Sequence, residues 1–466
     1  MPRDLRFLVL GLGLALFCTG CPAGWSWRDF DADKRLDLSE DSEPGIEGRN
    51  QAVYQNSIAE MAWFEGLRRM RVQGYGVVVG LGKGGSTVCP REIRSRLLEE
   101  LYKRPAFEAL RFNKEGFTPE RLIDDPGTAV VQVQGEIPAA AVTGTRFDVS
   151  VSAIPGDETT SLRGGRLVAC DLHIYRMLSP QAGLMGKTLA HAQGPLFMNP
   201  FSDRPGAATR SVSRVGTIVG GGRAATNRRI RLALFKPSYT TAKRIASRIN
   251  ARFPAQEKVA DAVSPSYVKL VVPAAYADDA RHFLEVIQHL YLKQNAGFAT
   301  RQTRLLADLI TKAGAPQEDI ALAWEGLGRT VLPTIGKLYA HDDPYVRYFA
   351  ALAGLRLDDP VAVTHIAEHA ADARSPLRFQ AVEALGAARE VFRAEAPLLQ
   401  LIDHDDPLMR VAAYEALLKR ESSAIHSRWL GHDNFALDVL PSTRLPLVYA
   451  KRTGSRRIAL LGGPIR

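Results

Sequence analysis

Residues 146–153, RFDVSVSA, alternate apolar and polar side chains without a break, the period of a strand with one buried face. Residues 77–79 are three consecutive valines, a pattern that predicts a short strand buried on both faces. Residues 129–133, 167–174, 229–235 and 268–272 predict further strands. Helical spacing appears between them. Residues 91–103 predict a helix with Pro90 in its first turn. Residues 240–253 place Ala242, Ile245, Ala246, Ile249 and Phe253 on one face and Lys243, Arg244 and Arg248 on the other. Residues 278–292 predict another helix. This mixture gives an α+β region over residues 53–295.

From about Gln302 the pattern changes to Ala- and Leu-rich segments of helix length with short breaks. Three breaks align: DDPYVRYFAALAGL, RSPLRFQAVEALG and DDPLMRVAAYEALL. Their prolines, Pro344, Pro376 and Pro407, stand 32 and 31 residues apart, and Arg347, Arg378 and Arg410 follow them. Residues 302–428 therefore resemble HEAT-type helical repeats, in which proline starts a helix and each apolar face is buried by the next repeat. The expected fold is an α+β region followed by an all-α solenoid. Residues 429–466 form a C-terminal extension with a β-hairpin expected around Thr453-Gly454-Ser455.

The N-terminus changes the picture of location. Residues 1–20 combine Arg3 and Arg6 with an apolar run at 7–17, too short to span a bilayer, and read as a secretory signal. Thr19-Gly20-Cys21 resembles a bacterial lipoprotein cleavage box, although Cys18 stands where that pattern prefers Leu. The resemblance implies lipidation of Cys21, and Pro22, which is not an Asp, implies outer-membrane retention. An ordinary cleaved signal that contains cysteines is the alternative. Residues 21–52 are polar, acidic and aperiodic, the composition of a flexible tether. Export leaves Cys89 and Cys170 as a candidate disulfide, with two unpaired cysteines as the other reading. The formal net charge of +10 favours anionic surfaces such as cell wall or lipid headgroups. Export argues against nucleic acid as a partner.

Two motifs suggest chemistry. Gly80-x-Gly82-x-x-Gly85 follows the valine run, as a dinucleotide loop would. Five residues then separate Gly85 from the predicted helix, and Glu99 and Glu100, at ribose-binding distance, lie mid-helix. No cofactor is expected. His365-x-x-Glu368-His369 matches the inverted zinc-peptidase motif, but it lies inside the repeats with no recognisable third ligand. No metal is expected either, and no catalytic residue is assigned. A basic, glycine-rich segment carries Arg204, Arg210, Arg214, Arg223, Arg228, Arg229 and Arg231. It reads as a solvated loop and hairpin. Its functional alternative is a contact surface for an anionic polymer or acidic neighbour, with Arg223, Arg228, Arg229 and Arg231 as the candidates.

Several stretches in order resemble the flagellar P-ring protein family: VQGYGVVVGL at 72–81, FDVSVSAI at 147–154, SLRGG at 161–165, AQGPL at 192–196, and YTTA at 239–242 through INARF at 249–253. They span about residues 58–292. The resemblance implies a non-catalytic subunit of a periplasmic ring around the flagellar distal rod at the peptidoglycan. It implies as partners further copies of the chain, the rod, the outer-membrane ring and the wall. It also implies structural roles, in core turns or intersubunit contacts, for Gly74, Tyr75, Gly76, Gly80, Asp148, Ser161, Leu162, Arg163, Gly164, Gly165, Gln193, Gly194 and Pro195. Three features depart from the family. The signal is of lipoprotein type, the family's final part is not visible beyond about Leu292, and helical repeats stand there instead. Of the family's final part, only residues 448–463 show a resemblance, to its later hairpin. These departures leave a second reading, a lipoprotein adaptor that scaffolds another envelope complex through its repeats. A zinc hydrolase built on His365, Glu368 and His369 is the third.

Overall fold

The computed structural model describes residues 51–103, 118–174, 187–198, 214–293, 295–431, 435–451 and 453–462. Cys21, the expected signal and most of the expected tether lie outside them, as do Arg204 and Arg210. The strands are β1 (Ala62–Glu65), β2 (Met70–Val79), β3 (Ala129–Ile137), β4 (Arg146–Ala153), β5 (Arg166–Ile174), β6 (Ala190–Pro195), β7 (Val215–Ala224), β8 (Ile230–Leu234), β9 (Ala260–Asp261), β10 (Tyr267–Leu270), β11 (His426–Leu430), β12 (Phe435–Leu440), β13 (Leu447–Ala450) and β14 (Arg457–Leu461). The helices used below are α1 (Gln51–Tyr54), α2 (Arg91–Tyr102), α3 (Pro119–Ile123), α4 (Tyr239–Arg252), α5 (Ala280–Gln288), α6 (Ala296–Ile310), α7 (Gln317–Leu327), α8 (Leu332–Ile335), α9 (Pro344–Arg356), α10 (Ala362–Ala371), α11 (Arg378–Ala387), α12 (Glu395–Leu401) and α13 (Pro407–Lys419).

Six strands close into a barrel in the order β2-β3-β4-β7-β6-β5. All the pairings are antiparallel, and β5 returns to β2. The alternation of β4 puts Phe147, Val149 and Val151 inside with Val72, Val133, Leu162, Leu172 and Ile218. Closure removes every free strand edge of this sheet. Outside one wall, α2 and α3 cover Val77 and Val130 with Leu97, Leu101, Leu122 and Ile123. Pro90 is the N-cap of α2 and not a residue of its first turn.

A second sheet, β1-β8-β10-β9, packs on α4 and α5. The α4 face expected to be apolar is the buried one: Ala242, Ile245, Ala246 and Ile249. A third core runs through α6–α13. There α9 packs on α7 and α10, α11 on α10 and α13, and α12 on α13. The breaks are not equivalent. Asp343 and Asp406 cap α9 and α13, with Pro344 and Pro407 at the first position. Pro376 does not start a helix; α11 begins at Arg378 without a side-chain cap, and the Ser375 hydroxyl accepts from Leu377 N–H at 3.3 Å.

The last sheet, β11-β12-β14-β13, contains the hairpin turn at Gly454 and a parallel β12–β14 pair. Leu440, Ala459 and Leu461 join the helical core, so this sheet covers the end of the array. Asp438, fully buried, accepts from Tyr414 Oη, Ser427 Oγ and Arg457 Nη1 at 2.6, 2.6 and 2.8 Å. Three donors on one buried carboxylate offset the cost of taking its charge out of water.

Candidate functional site

The glycine motifs meet at the seam where the barrel closes. Gly74-Tyr75-Gly76 lies inside β2, opposite a register shift in the β2–β5 pairing. A Cβ on Gly74 would collide with the Asp171 carbonyl, and one on Gly76 would stand 2.8 Å from Leu167 Cδ1. Strand β5 therefore approaches β2 closely only because both positions are bare. Gly80 begins the turn after β2. Ser161-Leu162-Arg163-Gly164-Gly165 forms the turn before β5, with Leu162 fully buried in the barrel and Ser161 Oγ accepting from Arg163 N–H at 3.2 Å. Gln193-Gly194-Pro195 ends β6, where the Leu196 N–H donates to the Gly165 carbonyl. The loop after β2 is thus packed by the chain itself: Ser86 N–H donates to the Thr128 carbonyl, and Thr160 N–H to that of Gly84. The next helix starts at Arg91, six residues after Gly85.

Asp148 joins two distant parts of the chain. Its Oδ1 accepts from Gly220 N–H at 2.6 Å and from Gly454 N–H at 3.2 Å. Gly220 and Gly454 both have positive φ, +59° and +71°, and the Gly454 carbonyl lies against the Gly220 α-carbon. The C-terminal hairpin turn therefore docks on the bulged β4–β7 wall of the barrel. Helix α13 holds the other side of the same sheet, through Tyr449 and Lys451 to Glu415 and through Arg410 to the Leu445 and Leu461 carbonyls.

The four candidate basic residues separate. Arg228 donates to the carbonyls of Ile137, Pro138 and Gly66, and so ties three loops together. It is a structural clamp and not part of an open contact surface. Arg229 is exposed at the edge of β8, and Arg231 lies over the Tyr267 ring at 4.7 Å. Arg223 stands on the barrel, exposed and directly opposite Arg146. Arg214 is also internal: it pairs with buried Asp157 and donates to the Ile154 and Thr159 carbonyls. The expected loop and hairpin around these residues includes β7, a ten-residue barrel strand.

Cys89 and Cys170 are not disulfide-bonded. Cys170 points into the barrel core, whereas Cys89 packs in the outer cluster under α2, so the barrel wall stands between them. Burial pushes the Cys89 thiol up, against the opposing pull of Arg94. On α10, His365 Nδ1 lies 3.4 Å from Glu368, and buried His369 faces Ser375 Oγ at 3.3 Å and the Tyr348 ring. Among the described residues no group of three His, Cys, Asp or Glu could hold a metal ion.

One face of the helical array meets the chain's own α5. Helices α7, α9, α11 and α13 line a cavity of about 160 Å³ together with Asp279, His282 and Glu285. Arg389 reaches Asp278 at 3.0 Å and Lys419 reaches Asp279 at 3.9 Å. At its base, His282 Nε2 lies 2.9 Å from buried Glu325. Burial acts to raise the Glu325 pKa, but His282, Arg356 and Arg252 outweigh it and hold the carboxyl below its ordinary value. Sequence reasoning missed this pair because its members are 43 residues apart. Among the described residues no helix is long and apolar enough to cross a membrane.

The flagellar P-ring protein family matches residues 57–299, more than half of the chain. The chain belongs to this family. The matched segment contains the whole barrel and the β1-β8-β10-β9 sheet. Among relatives, the flagellar P-ring protein of Rhodopseudomonas palustris strain BisB5 is 35% identical over 246 residues, 51% of this chain and 60% of that protein. The flagellar P-ring protein of Nitrobacter winogradskyi is likewise 35% identical over 246 residues. Flagellar P-ring protein 1 of Bradyrhizobium diazoefficiens is 35% identical over 243 residues, 50% of this chain and 59% of its own length. The chain thus spans about 60% of the length of the P-ring relatives it matches. Most of the helical array and the C-terminal sheet of this family member lie beyond the matched segment.

Proposed function

We propose that this chain is a structural, non-catalytic subunit of a periplasmic ring around the distal rod of the flagellum, a bushing of P-ring type. The supporting observation is family membership over the segment that forms the barrel, whose closing seam carries the glycines of the family-like motifs. Its partners in this reading are further copies of itself, the rod, the outer-membrane ring and the peptidoglycan, and Cys21 anchors it by lipid to the outer membrane. The helical array is of HEAT type.

A second reading is favoured by the extent of chain outside the family match, from residue 300 onward. In it the protein is an outer-membrane lipoprotein adaptor that scaffolds a non-flagellar envelope complex. The deciding experiment is electron microscopy of basal bodies isolated from the native host, with a label on this protein's C-terminus. Label on a ring around the distal rod supports the ring subunit. Intact basal bodies without label overturn it and put the adaptor first.

A further inference from the structure

Outside the barrel, side chains from four strands form parallel rows, because successive residues of a strand alternate between its two faces and neighbouring strands lie about 4.8 Å apart. One row runs Gln73, Gln134, Ser150 and Thr217 across β2, β3, β4 and β7. The next pairs Arg71 with Glu136 and continues to Asp148. Beyond it Arg146 faces Arg223 directly across the β4–β7 ladder. The docked turn at Gly454 makes this wall one side of a cleft of about 750 Å³, whose charged lining is Arg69, Arg71, Arg146, Glu136 and Asp148.

The carboxylates of this cleft are committed. Glu136 accepts from Arg71 at 3.2 Å, and Asp148 accepts from two backbone amides. The side chains of Arg146 and Arg223 have no hydrogen-bond or ion-pair partner among the described residues. Like charges directly opposite on two strands destabilise the pair. The third guanidinium near Arg146, that of Arg457, is bound to Asp438. Burial and these two arginines push the Arg146 guanidinium below its ordinary value. Arg146 and Arg223 are exposed to water, and the nearby Asp148 and Glu136 are engaged elsewhere, so a like-charge pair beside a roomy cleft favours an added anion; planar guanidinium binds carboxylate and phosphate in bidentate fashion.

We propose that the cleft between the β2-β3-β4-β7 wall and the Gly454 turn binds an oxyanion ligand through Arg146 in its lining and Arg223 across the ladder at its edge, with Gln134, Ser150 and Thr217 farther along the wall as neutral hydrogen-bonding partners. The ligand is a compact molecule or polymer segment bearing carboxylate or phosphate. The inference does not depend on ring assembly, because the cleft is complete within one chain.

Isothermal titration of the purified protein with citrate and, separately, with inorganic pyrophosphate tests it, against sodium chloride at matched ionic strength. Saturable binding of either probe is expected, and the stronger one identifies the oxyanion class. Arg146→Gln should weaken it about tenfold, the loss of one charge-assisted contact. Arg244→Gln, an equal loss of charge on the exposed side of α4, should leave it unchanged. In anion-free buffer Arg146→Gln should unfold no earlier than the parent, because a like-charge contact is removed. Heats no larger than those of chloride, or equal weakening in the two variants, would overturn the proposal.

Discussion

The barrel and the helical array solve the same burial problem with opposite dependence on distance along the chain. In the barrel, β2 must pair with β3 and with β5, and the last pairing closes the sheet across roughly a hundred residues of chain. In the array, each helix packs on the next few, and the buried side chains of one segment meet those of its neighbours. A closed sheet has no partial version of itself, whereas an array loses stability locally when one interface fails. The difference explains where glycine appears: at the seam it permits a close strand approach that no other residue allows.

The largest expected effect tests that claim. Gly74→Ala places a methyl group against the Asp171 carbonyl, backbone that cannot rotate away. A loss of about 3 kcal/mol is expected, the upper range for overpacking, with amide protection falling in β2, β5 and β6 together. Urea unfolding with hydrogen exchange measures both. A loss confined to β2 would show that the barrel does not act as one unit.

The array supplies the counterpart. Leu385 on α11 is fully buried. Leu385→Ala should cost about 3 kcal/mol from lost burial and the cavity left behind. Exchange should accelerate in α10 to α13 and stay unchanged in the barrel. Equal acceleration in β2 and β5 would erase the distinction between the two regions.

The same contrast governs what the sequence made legible. The β4 alternation gives the strand its observed bounds, because one face meets the core and the other water. For β2 only three of ten residues are readable. Val72, Gln73, Gly74, Tyr75 and Gly76 have no strand period, since the glycines serve the neighbouring strand and not the local conformation. Strands β6 and β7, AHAQGP and VGTIVGGGRA, are unreadable for the same reason. In the array the Asp-Pro starts of α9 and α13 are local capping signals and can be read directly. The Pro376 break shares the spacing but has Ser375 in place of the aspartate, and its helix starts later. At the candidate site, Asp148 stands out only through the family-like stretch around it. Its partner Gly454 lies 306 residues away, beyond any local pattern. The unpaired arginines face each other only once β4 and β7 are in register.

Asp148 ties the barrel to the C-terminal sheet that covers the end of the array, so its removal should loosen that contact. Asp148→Ala leaves the Gly220 and Gly454 amides without their acceptor. A cost of about 2 kcal/mol is expected, the penalty for stranded polar groups. Exchange at Gly454 and along β13 and β14 should rise while the α10–α13 interfaces keep their protection. Asp148→Asn keeps an acceptor oxygen and should lose less. If the hairpin turn stays protected in the alanine variant, then the C-terminal sheet is held by α13 alone and the barrel contact is incidental.

The smallest effect concerns protons in the array. Burial lowers the His369 pKa first, and Arg347 adds to it. The unfolded chain therefore takes up a proton before the folded one does. The stability linked to neutral His369 is present in full above the unfolded value, about 6.5, and is lost as the pH falls from there through the folded value. Urea midpoints of the array measured from pH 7.5 to 5 should decline for the parent protein. His369→Gln keeps a polar group near Ser375 but has no proton to gain, so its decline should be shallower. The barrel has no counterpart at this position, and its midpoint should have the same pH dependence in both proteins. Parallel declines of the array in parent and variant would place the acid sensitivity elsewhere, with the His282–Glu325 pair at the base of the array as the next group to replace.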